Sequence, residues 1–508
     1  MDILENETTY EFNTSIGFEN VVSPLNYNTI NIDSIKKWLK NPMYYNQEIR
    51  SASRVLYNKN GIYANVVDYM VSLPTLDRVV YGRNRKNRDY QTNKDKFISS
   101  LDSLKDKILI RDNLRKLSID AVAFYYFQYD ENASFDNFMS DYDRSQTEIN
   151  KYVNCNLFPL PTDYCEIVGL KNSSYVVAFD LSYFDNFTGK GKSKKLMKYP
   201  KEIREGYKQF RKSPNNQWIV LDNDKTVATK ARSNIDEKWG RPLGLASFID
   251  ILYDEYYTDT KRKILDDVNS TIVYQTFPEG KEKGKSSLTQ KQQKEQHDNI
   301  KQALFSRSNV KGVNFFSVAS GTKLEKMDTD VEFLKVNAED ELIKRITTSL
   351  GFASSLLNAD SGTSSSQKAN LDLITAEIMS WIEQIKSELN KVINKNIIKN
   401  NSNYIEVDYL PITHANRKEM VRHMKDLFLN AGGSVQAWIS STGFNPETYL
   451  ALMDEERSLN FDEKYPPHKT SYTTSGKDES TEAKKPINND SDNPNTIKNK
   501  NTGANPIE

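Results

Sequence analysis

The sequence predicts an α+β fold that is predominantly helical, and three observations carry this. Apolar residues recur every three or four positions from Leu371 to Ile397, the mark of a very long amphipathic helix. Clusters of aromatic and β-branched residues, densest in Ala121 to Phe127, interrupt the helical segments of the first half as strands would. The apolar fraction is only 37%, yet 28 Tyr and 22 Phe supply bulk for cores in a chain of 508 residues.

Taken in order, Ile49, Ala52, Val55 and Leu56 keep helical spacing up to the stop signal Asn60-Gly61. Ile62 to Leu73 forms a second apolar stretch ended by Pro74. Phe97, Leu101, Leu104, Ile108 and Leu109 mark one longer helix. Strands are expected at 121–127, Tyr164 to Val168, Tyr175 to Phe179 and Trp218 to Leu221, with a basic helical stretch around Lys201 to Phe210 among them. After Gly240-Arg241-Pro242 the pattern is one helix to about Val268, a rod of roughly 39 Å. Its stripe is Leu245, Phe248, Ile249, Leu252 and Tyr256, while Asp250, Asp254 and Asp259 point elsewhere.

A strand at Thr271 to Phe277 leads into a hydrophilic segment (280–297), a helix near 298–305 and a strand at Gly312 to Val318. Ala338 to Leu350 is helical, and Phe352 to Ser366 is a loop dense in Ser, Thr, Gly and Asn. The long helix that follows spans roughly 45 Å. Three short helices come next, Asn416 to Ala431, Ser434 to Ser441 and Pro446 to Leu459. Asn416 with Glu419 makes a capping box, Gly432 a stop, and Asn445-Pro446 a start. From Thr473 to Glu508 only five of 36 residues are apolar and none is aromatic, so this tail is expected to be disordered.

Lys plus Arg and Asp plus Glu both number 69, which excludes a globally basic nucleic-acid binder and leaves only local patches. No apolar run approaches the roughly 20 residues that cross a bilayer. The acidic start Met1-Asp2-Ile3-Leu4-Glu5 is not a signal peptide. Cys155 and Cys165 cannot form a disulfide framework for so long a chain, so a reduced, intracellular state is expected.

Signals for chemistry are weak. His297, His414, His423 and His468 share no metal-ligand spacing, and His-Glu-x-x-His, Cys-x-x-Cys and Gly-x-Ser-x-Gly are absent. Gly280 to Ser286 resembles a phosphate loop but has three residues between its glycines, where the motif needs four. Gly189-Lys190-Gly191-Lys192-Ser193 ends correctly, but Asn186 stands where the first glycine belongs. Both segments read as solvated basic loops. Asp222/Asp224 and Asp328/Asp330 read as turn carboxylates rather than Mg²⁺ ligands. Residues 190–212 hold ten Lys or Arg against two Glu, a solvated face or a surface for phosphate or an acidic partner. No catalytic residue, metal site or cofactor is expected.

The order of elements resembles that of tailed-bacteriophage portal proteins of the Gram-positive phage type, over about residues 25–460. Leu56-Tyr57-Asn58-Lys59-Asn60-Gly61-Ile62-Tyr63-Ala64-Asn65 is similar to their N-terminal helix–turn–helix. Leu160-Pro161, Tyr164-Cys165-Glu166-Ile167 and Phe179-Asp180-Leu181-Ser182 resemble their wing strands. Gly240-Arg241-Pro242-Leu243 matches the entry to the first stem helix. Leu350-Gly351-Phe352, Leu356-Leu357-Asn358 and the serine cluster look like the tunnel loop. Ala431-Gly432-Gly433-Ser434, Gln436-Ala437 and Ser441-Thr442-Gly443 resemble the crown.

The resemblance implies a wing/stem/clip/crown architecture. Residues 1–240 would be wing, 241–269 and 337–351 the stem helices, 270–336 the clip and 352–366 the tunnel loop. Residues 367–400 would be a long wing helix, 401–460 a helical crown and 461–508 a disordered tail. It implies a homo-oligomeric ring, typically a dodecamer, at one capsid vertex of a virion and assembled in the host cytoplasm. Double-stranded DNA would be packaged and ejected through it. The clip would engage the terminase large subunit and then a head–tail adaptor, and the ring would adjoin major capsid and scaffolding proteins and no membrane. The DNA-facing candidates are Asn358, Asp360, Ser361, Gly362, Thr363, Ser364 and Ser365, with Lys281, Lys283 and Lys285 as clip contacts. Small, neutral or acidic groups suit a passage that must not grip phosphates, as would Asp250, Asp254 and Glu255 if they face it. The rival readings are a DNA-processing ATPase or nuclease of the packaging machinery, which needs motifs this chain lacks, and a soluble helical adaptor.

Overall fold

The computed structural model describes residues 30–129, 155–269, 273–282, 285–305, 321–326, 337–358, 364–399 and 403–465. It divides into a unit through Pro446 and a small one from Glu447. The expected strand at Gly312 to Val318, the pair Asp328/Asp330, and the tail beyond Tyr465 lie outside the described residues.

Helix α1 (Ile32–Lys40) opens at Asn31, whose side chain accepts from the Ser34 N–H, and buries Ile35 and Trp38. Helices α2 (Asn46–Lys59) and α3 (Gly61–Ser72) meet at Asn60. Its N–H donates to the Leu56 carbonyl, ending α2, and its side chain accepts from the Tyr63 N–H, opening α3. One residue therefore caps two helices. Strand β1 (Arg78–Gly82) follows. The single helix expected across 97–109 is two, α4 (Tyr90–Leu104) and α5 (Asp106–Asp120), broken at Lys105 with φ +49°. The cause is tertiary. Arg78 pairs with Asp102 at 2.5 Å and Asp106 at 2.6 Å, one on each side of the break, and Ile108 is left 65% exposed.

Strands β2 (Val122–Tyr129), β3 (Cys155–Pro159), β4 (Cys165–Lys171) and β5 (Ser174–Asp180) come next, then α6 (Gly189–Met197), α7 (Lys201–Lys212), β6 (Trp218–Val220) and β7 (Thr226–Lys230). All pairings are antiparallel, in sheets ordered β3-β2-β7 and β4-β5-β6. Strand β2 explains its own composition. Ala123, Tyr125 and Phe127 enter one hydrophobic core and Val122, Phe124 and Tyr126 another, so both faces are apolar. The four expected strands are present, whereas the Gly189–Ser193 segment, read as a loop, is the first turn of α6. Packing overrides its loop-like composition: Lys195 is buried, its ammonium 5.0 Å from the Phe187 ring centre. Asp222 behaves as a turn residue, accepting from the Asp224 N–H at 3.0 Å.

A 3₁₀ turn at Leu243–Ser247 precedes α8 (Phe248–Asn269), so the expected single rod starts later than its apolar stripe. Strand β8 (Val273–Thr276), α9 (Gln290–Phe305), β9 (Lys323–Lys326), α10 (Asn337–Ser349) and the short α11 (Ser354–Asn358) follow. Helix α9 begins earlier than expected. Helix α12 (Ser364–Ile393) runs 30 residues and carries the expected stripe, with Ile374, Ile378, Trp381, Ile385, Leu389 and Val392 buried. It ends in a π turn (Asn394–Ile398) closed by Lys399 at φ +54°. Strand β10 (Ile405–Tyr409) pairs with β1. Its other edge is met by α12 and the π turn: Asn390 exchanges hydrogen bonds with Val407, and Asn394 with Ile405. The expected all-helical stretch 401–460 thus opens with a strand.

Helix α13 (Arg417–Ala431) ends at Gly432, φ +63°, as its sequence requires. Its capping box lies one turn earlier than expected. Thr413 Oγ1 accepts from the Asn416 N–H and the Asn416 side chain accepts from the Thr413 N–H, while Glu419 pairs with Lys368 instead. Helix α14 (Val435–Ser441) is capped by Ser434. In the C-terminal unit, α15 (Pro446–Ser458) is followed by α16 (Phe461–Lys464), so the stretch expected to be disordered from 461 begins as a helical turn.

Candidate functional site

Helices α8 and α10 form an antiparallel hairpin. Near the root, Arg345 donates to Asp250 at 2.6 Å. Further out, Tyr253, Tyr256, Tyr257 and Thr260 share a recess of about 680 Å³ with Glu341, Leu342 and Arg345, so position rises along α8 as it falls along α10. The root is fixed in the main core through Phe248, Ile251, Leu252, Ile346 and Leu350. From Tyr253 to Lys263 no side chain is fully buried, and Asp254 still reaches Asn60 between α2 and α3.

The acidic residues of α8 are only partly available. Asp250 is committed to Arg345, and Asp254 accepts from the Asn60 side chain at 3.3 Å. Burial, then the neighbouring Asp259, raises the Glu255 carboxyl above its ordinary range.

The chain between α8 and α10 carries the β8–β9 ribbon, paired from Val273–Lys326 to Thr276–Lys323, and α9, tied to it by a 3.0 Å bond from Gln296 to Thr322. Of the three candidate lysines here, Lys281 is exposed, Lys283 lies outside the described residues, and Lys285 pairs with Glu282 at 2.6 Å in full solvent. The Gly280 N–H donates to the Lys285 carbonyl, so this turn spends on itself a group that a phosphate cradle would need.

Helix α10 ends in a Schellman turn. Gly351 has φ +84°, its N–H donates to Thr348 and the Phe352 N–H reaches Thr347. Phe352 is buried beside it. Asn370 of α12 then spans the bend, and Gln367 donates to the Ser355 carbonyl at 3.4 Å. These contacts narrow the expected loop 352–366. Asn358 closes α11, while Ser364 and Ser365 open α12. Asp360, Ser361, Gly362 and Thr363 lie outside the described residues. Asn370 and Gln367 were not singled out in the sequence, because their partners are other segments' backbone groups and no local pattern marks them.

No family model matches the sequence. A relative is the SPbeta prophage-derived uncharacterized protein YonE of Bacillus subtilis (strain 168). It is 23% identical over 540 residues, covering 99% of this chain and 96% of that protein. Among solved structures, the chain is similar to one in the neck of an empty gene transfer agent particle computed with C6 symmetry. That match has TM-score 0.44 and 11% identity and covers 78% of this chain and 93% of the other. It is also similar to an HK97 family phage portal protein from Corynebacterium diphtheriae, with TM-score 0.31, 10% identity, and 70% and 93% of the two chains. At such scores neither likeness equates the folds.

Among the described residues no three His, Cys, Asp or Glu gather as metal ligands. Burial pushes the Cys155 thiol up to about 12 and the Cys165 thiol well above its ordinary value, so their surroundings favour the protonated thiol. Among the described residues no helix is long and apolar enough to cross a membrane. The arrangement is a hairpin with a small folded insert, returned through a strapped bend to a long buried helix.

Proposed function

We propose that this chain is a phage portal protein, a subunit of a ring through which double-stranded DNA passes. The observation that carries the reading is the path of the chain from α8 to α12. A hairpin rooted in the core only as far as Leu252 bears a ribbon-and-helix insert and returns by the Gly351 turn to a 30-residue buried helix. This follows the succession of stem, clip, stem, tunnel loop and long helix that the sequence resemblance implies. The prophage origin of a relative matching 99% of the chain supports a phage setting.

In this reading α8 and α10 are the stem, residues 270–336 the clip that meets the terminase large subunit and later a head–tail adaptor, and 352–366 the segment nearest the DNA. The ring, typically of twelve copies, sits at one capsid vertex. It performs no chemistry of its own; a separate motor drives the DNA. Passage without reading or gripping requires walls poor in cations, because each neutralised phosphate releases counterions and adds affinity. The segment Asn358 to Ser365 has no Lys or Arg. Contacts around a ring are spread over broad side surfaces and can be as polar as ordinary surface, which suits a chain with 37% apolar residues.

Imaging the purified full-length protein by negative stain, with native mass spectrometry alongside, tests the reading. A closed ring with a central hole is expected. Concentrated samples containing only single chains or dimers would overturn it.

A further inference from the structure

The basic helices α6 and α7 stand apart from the hairpin, packed on the second hydrophobic core rather than the first. Helix α7 turns Ile203, Gly206 and Tyr207 inward, and a Cβ at Gly206 would lie 2.7 Å from the Ile219 side chain of β6. Away from that face Lys201, Arg204, Lys208, Arg211 and Lys212 recur at helical spacing, a band about 100° wide and about 16 Å long. All but the half-buried Arg204 are exposed, and exposed Lys190 of α6 and Lys198 at its C-terminal cap add to them.

The acids of this region do little to neutralise the band. Glu202 is turned inward, accepting from the Tyr126 hydroxyl at 2.6 Å and the Asp222 N–H at 3.0 Å. Asp185 accepts from Lys192 at 2.6 Å and Tyr207 at 3.0 Å, with Arg211 only at 3.8 Å. Glu205 stands 3.8 Å from Lys201, both mostly in solvent, where such a pair contributes little. A net positive ridge remains.

We infer that this ridge is a sequence-independent binding surface for the phosphate backbone of duplex DNA, separate from the conduit. Its length of about 16 Å is about half a helical turn of the duplex, and because each strand winds away from a fixed line the ridge meets only a few of its phosphates. A band of cations suits a polyanion. A protein partner would instead favour a desolvated aromatic or aliphatic anchor at the centre, and the outward stripe of α7 has none, although Met197 of α6 is exposed. The inference goes beyond the portal reading and does not depend on ring formation, since a single chain carries the whole ridge. It assigns the chain two opposite behaviours towards DNA, a passage that slips and a ridge that holds.

The test is fluorescence anisotropy of the full-length protein with a random-sequence duplex of about 30 bp, from about 50 to 200 mM salt. Affinity should fall with salt, with a log–log slope near −0.9 per phosphate contacted. The triple variant Lys201→Gln, Lys208→Gln, Lys212→Gln should bind more than about tenfold more weakly and lose about three from the slope. Lys→Arg at the same positions should keep both, and unchanged circular dichroism of the Gln variant excludes unfolding as the cause of its loss. Undetectable duplex binding by the wild type, a Gln variant that binds like wild type, or a wild-type preference for poly-glutamate over duplex at equal salt would each overturn the assignment. Negative-stain images of the same preparations report ring formation separately, so the two ideas can fail independently.

Discussion

Asn370 and Gly351 are joined across the bend after α10. The Asn370 side-chain amide donates to the Gly351 carbonyl at 3.0 Å, and its oxygen accepts from the Ala353 N–H at 3.0 Å. The Schellman turn uses the amides of 351 and 352 but leaves the Gly351 carbonyl pointing away from α10, and a side chain from α12 takes it. The long helix thereby fixes where the loop begins.

Asn370→Ala removes both bonds at once and leaves a partly buried backbone N–H without its partner. The expected cost is about 1–2 kcal/mol, read as a lower midpoint in denaturant unfolding. Limited proteolysis should cut faster between 351 and 363. A variant with wild-type stability and cleavage would mean the strap does not hold the bend.

Gly240 is constrained by space rather than by a left-handed backbone. A Cβ there would fall on the carbonyl oxygens of Ala121 and Ala231. Those backbones cannot yield, since the Ala231 N–H donates to Ala121 at 2.8 Å and the Arg241 N–H donates to Ala231 at 3.1 Å. Gly240→Ala should cost about 1–3 kcal/mol or more, seen as a lowered melting temperature and poorer soluble yield. Wild-type melting would refute this packing.

What was legible in the sequence was what each segment decides for itself. The α12 stripe and the aromatic cluster of β2 are local patterns, and they predict their elements. Strand β7 was missed because Thr226–Lys230 has no apolar alternation. It is buried throughout because Val227 and Ala228 enter the two cores, β2 pairs with one edge, Gln384 and Lys391 of α12 cover the other, and the Lys230 ammonium finds the Asn234 and Glu237 carbonyls. The break at Lys105 depends on Arg78, and the edge of β10 on Asn390 and Asn394, all distant in sequence. The site follows the same rule. Composition located the loop and periodicity the two helices, while their association as a stem was implied by the family resemblance alone; the Asp250–Arg345 pairing joins residues 95 positions apart, which no spacing rule anticipates.

Asp163 provides a pH-dependent test of the body that carries the hairpin. Burial raises its carboxyl, but Arg50 and Arg54, each 2.8 Å away, outweigh burial and hold it below the ordinary carboxylate value. A folded pKa below the unfolded one, about 3.9, gives a stabilisation that is complete well above that pH and is lost as pH falls through the lower folded value. Asp163→Asn should cost about 3 kcal/mol at pH 7, because the buried Arg50 loses its counter-charge while Arg54 keeps only Asp120 at 2.6 Å. The gap between wild type and variant in denaturant unfolding should stay constant from pH 8 to about 5 and narrow only in stronger acid. A gap that changes between pH 6 and 8 would point to another titrating group.

The loop at the proposed conduit makes the sharpest demand on function. If DNA slides past Asp360, Ser361 and Ser364, then placing Lys at all three adds cations to every subunit of the ring. Each phosphate they neutralise releases counterions and deepens the hold on the duplex. The triple variant should assemble normal rings yet package severalfold less DNA, and raised salt should recover part of the yield because screening weakens those contacts. A control carrying Asp360→Asn, Ser361→Ala and Ser364→Ala removes charge and hydroxyls without adding cations, and should package at near the wild-type level. Normal yield from the lysine variant, with rings intact, would take this loop out of the passage and require a different segment to line it.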